Sequence, residues 1–241
     1  MPIPKLLQLA RNNAAASKPL RAESSGTEAT LYLHGVIGGW WGDIDETEFA
    51  KTLAGMDADT IHLRIDSPGG DVFAARAMMT AISQHKARVV AHVDGLAASA
   101  ATGICMACDE VEITQGGGFM IHNAWTIAIG NKADMRKTGD LLDKIDAGLT
   151  NDYARRSGKD STEVAAWMDA ETWFTADEAV TNGFADRAVE VVGKRASNTW
   201  DLSAYNHAPD SAPEPEVDDA DVVAHRNALE RRLALLERVP A

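Results

Sequence analysis

Between about residues 28 and 194 the chain alternates short β-type runs with helical patterns, and this alternation limits the fold more than any other feature. TLYLHGVI (30–37) reads as a strand and EFAKTLAGM (48–56) as a helix. TIHLRID (60–66) reads as a strand, DVFAARAMMTAISQ (71–84) as a helix and ARVVAHVDG (87–95) as a strand. Strands separated by helical crossovers call for parallel pairing, because the chain must recross the sheet before the next strand can run the same way. The expected class is therefore α/β, with βαβ units, a mostly parallel sheet and helices packed on it. Residues 132–156 add a long helical segment, with Met135, Leu141, Leu142, Ile145 and Leu149 near helical spacing.

The flanks read differently. Residues 1–27 carry no sustained period and are expected to be a flexible N-terminal arm. Residues 28–194 form the expected domain, and 195–219, which include HAPDSAPEPEVDD, read as an acidic, proline-rich linker. Residues 220–241 place Val222, Ala228, Leu229, Leu233, Leu236 and Val239 roughly on one side, the pattern of an amphipathic helix that docks on a partner or on a copy of itself. A formal charge of −13 argues against a nucleic-acid partner, since phosphate neutralisation needs a basic surface. No apolar run approaches the roughly 20 residues that span a bilayer, and the N-terminal LLQLA is too short for a signal core. The expected location is the cytoplasm. Cys105 and Cys108 are the only cysteines and lack a second ligand pair, so they read as core thiols, with no metal and no cofactor expected.

Four motifs carry chemistry. SPGGD (67–71) follows a strand and precedes a helix, and its two glycines allow a turn whose backbone N–H groups face a ligand. In DGLAASAATGICMAC (94–108) Ser99 stands among small residues at a helix start; read alone, it is an ordinary N-cap. In GGGFMIHNAW (116–125) His122 ends a short apolar strand, whereas His34, His62 and His92 fall inside strands and read as structural. MDAETWFTADEAVTNGFAD (168–186) offers Asp169, Glu171, Asp177 and Glu178. Thr175 and Glu178 form a capping box, so Asp177 and Glu178 are explained by a helix start, but Asp169 and Glu171 are not. Serine, histidine, carboxylate and backbone donors together supply the parts of an acyl-transfer site.

The succession SPGG, GLAASAA, FMIHN and ETWFTADEAVTNGFAD resembles the Clp protease proteolytic subunit family over about residues 28–193. The resemblance implies the α/β spiral shared with crotonases, serine endopeptidase activity, and assembly into a homo-oligomeric ring. It makes Ser99 the nucleophile, His122 the base, and the amides of Gly70 and Ala100 the oxyanion donors. The acid position falls on Glu171, where the family usually has Asp, with Asp169 as the alternative. LHGVIGGWWG, IHLRIDSPGGDVFAARAM, MIHNAWT and ETWFTADEA further resemble phage and prophage head maturation proteases, which process scaffold and capsid proteins. That resemblance implies scaffold and capsid proteins as substrates and a host-cytoplasm or procapsid setting. No ATP-binding motif is present, so an ATPase partner would be a separate chain, as for a general Clp proteolytic subunit. Competing readings are a crotonase-type acyl-CoA enzyme, a serine–lysine dyad, for which no lysine sits in a promising motif since Lys132 and Lys137 read as solvated helix positions, and a catalytically silent ring-forming scaffold module.

Overall fold

A computed structural model of the protein describes residues 5–38, 44–190 and 200–209. Its elements are, in order, α1 (Lys5–Asn13), β1 (Arg21–Ser25), β2 (Glu28–His34), α2 (Glu46–Ala54), β3 (Thr60–Ser67), α3 (Val72–Gln84), β4 (Arg88–Ala98) and α4 (Ala100–Met106). They continue as β5 (Glu110–Thr114), β6 (Gly118–Ile121), α5 (Lys132–Ser157), α6 (Ser161–Asp169), β7 (Thr172–Thr175), α7 (Ala176–Thr181) and β8 (Arg187–Val189). The α/β class read from the sequence is the class observed. One sheet runs β1-β2-β3-β4-β5-β8, with β6 beside β4 and β7 beside β6. Among the described strands only the β1–β2 and β6–β7 pairs are antiparallel.

Period-two burial explains the sheet. β3 buries Ile61, Leu63 and Ile65, and β2 buries Ala29, Leu31 and Leu33. These side chains meet Phe49 and Leu53 of α2 and Ala75, Met78, Met79 and Ile82 of α3 in the main core. The opposite face keeps its polar residues. On it His62 Nδ1 and His92 Nε2 lie 2.8 Å apart, and His92 Nδ1 lies 2.9 Å from Glu112. Burial, followed by the charge of Arg64, lowers the His92 pKa to about 4. Cys105 and Cys108 are fully buried as core thiols; burial pushes Cys105 up to about 12 and Cys108 well above its ordinary value.

β4 is the strand that creates the site, because it forks. Val90–Val93 pair with β5, whereas Leu96–Ala98 pair with β6. On the other side the register with β3 shifts between Ile65 and Ser67, so that Ser67 meets Ala97. The end of β4 thus has the SPGG turn on one side and β6 on the other.

Both flanks depart from the sequence reading. The first 27 residues hold α1 and β1, and Leu9 of α1 is 1% exposed. Residues 200–209, expected to lie inside a linker, pack against α1: Trp200, Leu202, Ala204 and Tyr205 join Leu9, Leu96, Ala98 and Met120 in a second apolar cluster. The buried Asn13 side chain ties them, donating to the Asp201 carbonyl at 2.8 Å and accepting from the Asp201 amide at 2.7 Å. The composition shift that marked a linker starts with the prolines, after this Trp/Leu/Tyr-bearing stretch. The expected helix over 220–241 and the remainder of the linker lie outside the described residues.

Candidate active site

Ser99 is the single residue between β4 and α4, with φ 55 and ψ −124, a region that non-glycine residues rarely occupy. The turn is held by Ser99 N–H donating to the Met120 carbonyl at 2.8 Å, and by Thr102 N–H donating to the Ser99 carbonyl at 3.0 Å. Although Ser99 occupies the N-cap position, its side chain caps nothing. The hydroxyl instead lies 2.7 Å from His122 Nε2. The ordinary N-cap reading of this serine therefore does not hold.

His122 comes to this place because β6 is parallel to the end of β4, with Ala98 opposite Met120. Ser99 and His122 follow the C-terminal ends of neighbouring parallel strands, where ligand sites of open α/β sheets recur. The imidazole is 9% exposed and makes edge contacts with Trp125 and Tyr205, whose rings stack on each other 5.2 Å apart. Its pKa falls to about 4: burial lowers it, the Glu171 carboxylate raises it in part, and Lys5 lowers it further. At neutral pH the ring is unprotonated and able to accept a proton.

The antiparallel β6–β7 pair sets Ile121 opposite Thr172, which brings Glu171 level with His122. Glu171 is 6% exposed and holds φ 50, the second of the two non-glycine residues with positive φ among the described residues. Its Oε1 accepts from the His207 amide at 2.6 Å and its Oε2 from Asn206 Nδ2 at 3.3 Å. No hydrogen bond joins it to His122 among the described residues; the two are coupled through the carboxylate's charge. Asp169, the alternative acid, is exposed and accepts from Asn123 Nδ2 at 2.7 Å.

The glycine turn completes the site. Ser67, fully buried, donates its hydroxyl to the Gly35 carbonyl at 2.6 Å and accepts from the Gly69 amide at 3.1 Å. Ile37 N–H donates to the Gly69 carbonyl and Asp71 N–H to the Ile37 carbonyl, at 2.8 and 2.9 Å. These two bonds flank Gly70 and leave its own N–H facing away from Ile37. Gly70 and Ala100 line one cavity with Ser99 and His122. Its apolar wall comes from Leu141, Leu142, Ile145 and Leu149 of α5, so the helix read from sequence supplies one side of the site. Its volume is about 110 Å3, a little smaller than the ~150 Å3 apolar cavity that takes benzene.

All five residues singled out from the sequence (Ser99, His122, Glu171, Gly70 and Ala100) meet here. Ser67, Tyr205, Lys5, Asn206 and His207 were missed. Ser67 belongs to a motif already noticed, but the last four lie in flanks that offered no motif. Lys132 and Lys137 are exposed on α5, as solvated helix positions. Among the described residues no group of three or more His, Cys, Asp or Glu side chains could hold a metal, and no helix is long and apolar enough to cross a membrane.

Comparison with known proteins agrees with the motifs. The chain is 26% identical over 184 residues to ATP-dependent Clp protease proteolytic subunit 3 of Rhodococcus jostii, covering 76% of this chain and 91% of that protein. It is 29% identical over 129 residues to proteolytic subunit 1 of Protochlamydia amoebophila, covering 52% of this chain and 63% of that one. The structure of a ClpP1 mutant from Listeria monocytogenes superposes with a TM-score of 0.60 at 20% identity, over 67% of this chain and 91% of the other, which shows the shared fold. The Clp protease family model matches residues 50–192, more than half of the sequence, and the chain therefore belongs to the Clp protease family.

Proposed function

We propose that the protein is a serine endopeptidase in which Ser99 is the nucleophile, His122 the general base and Glu171 the orienting carboxylate. The observation that carries this reading is the 2.7 Å approach of His122 Nε2 to a serine that caps no helix and sits at φ 55. Ser99 Oγ adds to the carbonyl carbon while His122 Nε2 takes its proton. The amides of Gly70 and Ala100 hold the resulting oxyanion, each worth about 3 kcal/mol. Collapse breaks the C–N bond, and the same proton leaves on the departing amine. Water then repeats the sequence on the acyl-enzyme, with His122 as base again. Glu171 orients and stabilises the imidazolium, and its alignment tightens as substrate binds, as is common for catalytic hydrogen bonds. The cavity walled by the α5 leucines fits a medium-sized apolar side chain next to the scissile bond.

A fluorophosphonate probe tests the assignment. It is expected to label Ser99 in the wild type and to leave Ser99→Ala unlabelled; a wild type that reacts nowhere would favour the silent scaffold module instead.

Assembly into a homo-oligomeric ring fits the exposed apolar residues: Phe73 and Leu141 line the cavity, Ile127 and Ile129 precede α5, and Met135 lies in its first turn. Light scattering is expected to give a mass several times the 25.8 kDa of one chain. Folded substrates would need an ATPase on a separate chain, the arrangement of a general Clp proteolytic subunit. The finer role, maturation of phage scaffold and capsid proteins, is supported by the sequence resemblance in the LHGVIGGWWG and MIHNAWT segments. Cleavage of a co-expressed scaffold or capsid protein, absent with Ser99→Ala, would carry that role; intact proteins would remove it.

A further inference from the structure

The segment after Trp200 reaches the back of the catalytic site at three points that the peptidase reading does not use. The Tyr205 hydroxyl, buried, donates to the Pro68 carbonyl at 2.5 Å, directly ahead of the Gly69–Gly70 turn, and also interacts with the Ser99 hydroxyl. The His207 amide and the Asn206 side chain take one Glu171 oxygen each. Lys5 of α1 donates to Asn206 Oδ1; because lysine can only donate, the amide group is turned so that its NH2 faces the carboxylate. The segment is itself anchored, through Asn13 and Asn12 to Asp201 and through Trp200 Nε1 to Asp66 at 2.8 Å.

We propose that Tyr205, Asn206 and His207 are positioning residues of the catalytic site: Tyr205 braces the turn that presents the Gly70 amide, and Asn206 with the His207 amide fixes the Glu171 carboxylate behind His122. The inference rests on the serine peptidase reading. A carboxylate that is 6% exposed needs donors, and among the described residues both of its hydrogen bonds come from this segment. A cover over the site is a poorer description. None of the three residues lines the cavity, and Ser99 stays half-buried with the segment in place. Among the described residues, the charged and titratable groups that act on or touch His122 are Glu171, Lys5 and Tyr205.

The test uses the full chain with Tyr205→Phe, Asn206→Ala and His207→Pro, the last removing the amide donor. Ser203→Ala is the control: it lies in the same segment and is exposed, and among the described residues its hydrogen bonds go to Gln8 and Asp201, not to the site. Losing one such bond should lower kcat about tenfold, with KM changed less than about threefold, because the effect is on alignment and not on binding. Asn206→Ala should also move the acid limb of kcat/KM to higher pH: with one donor gone, more of the Glu171 charge reaches His122 and raises its pKa. Ser203→Ala should match the wild type in both. Unchanged kcat and an unmoved limb in Tyr205→Phe and Asn206→Ala would overturn the proposal, as would increased activity, the mark of a cover. If His207→Pro fails to fold, the Asn206→Ala limb decides, since that side chain is exposed. Labelling of wild-type Ser99 separates the two ideas: label with unaffected variants removes the positioning roles alone, whereas no label removes both.

Discussion

At Glu171 and Asp169 two carboxylates compete for one role, and their surroundings differ sharply. Glu171 is buried and acts on His122, whereas Asp169 is exposed and engages Asn123. Glu171→Ala is expected to lower kcat by about a thousandfold or more, and Asp169→Ala to stay within about twofold of wild type; the reverse order in peptidase assays would reassign the acid. The pH profile follows from the same group. A general base works when neutral, so with the His122 pKa near 4 the acid limb of kcat/KM should fall at about pH 4, well below the ordinary 6.5. Glu171→Gln removes the charge that raises this pKa, so the limb should move lower still. Ser99 and His122 stood out because short motifs of small and apolar residues surround them, but their pairing as nucleophile and base came with the family resemblance. The fit of Glu171 was legible only through family resemblance, and its donors were not, because Asn206 and His207 lie 35 and 36 residues away in sequence.

The elements most visible in the sequence were those with strong period. β3, α3 and α5 fall within a residue or so of the boundaries read from it, since continuous burial on one side leaves a clear pattern. β4 was read as ending at Gly95, yet it runs on to Ala98 after changing partners, from β5 to β6. A fork of this kind depends on pairing between distant strands and leaves no local signature. Gly70 is where the element scale meets chemistry. A Cβ there would stand 2.1 Å from the Ile37 carbonyl oxygen and 2.7 Å from its nitrogen, and φ is 148. Both obstacles are backbone, so the turn must move. Gly70→Ala is expected to cost on the order of 3 kcal/mol of stability and about a hundredfold in kcat through loss of an oxyanion donor. Urea unfolding and peptide hydrolysis would measure the two effects separately.

Over the whole molecule, the described ends of the chain lie together instead of trailing from a central domain. A window rich in Ala, Asn and Ser hid α1, and the neighbouring prolines hid the Trp200–Tyr205 packing, because average composition blurs a few well-placed apolar residues. Their junction is testable at Asn13, fully buried and bonded to the Leu9 carbonyl and to both backbone groups of Asp201. Asn13→Ala strands those groups and should destabilise the fold by about 1–3 kcal/mol, read as a lower denaturation midpoint with an unchanged slope. The junction also has a consequence in time. Asn13 and Asp201 are 188 residues apart, so at translation rates of about 5–20 residues per second roughly 10–40 s pass between the synthesis of the two halves. Only in the later part of that interval does a growing chain hold Ser99, His122 and then Glu171, while it still lacks Asn206 and His207, the groups that steady Glu171. On the positioning proposal, a chain still short of residue 207 would hydrolyse peptides more slowly than the finished one.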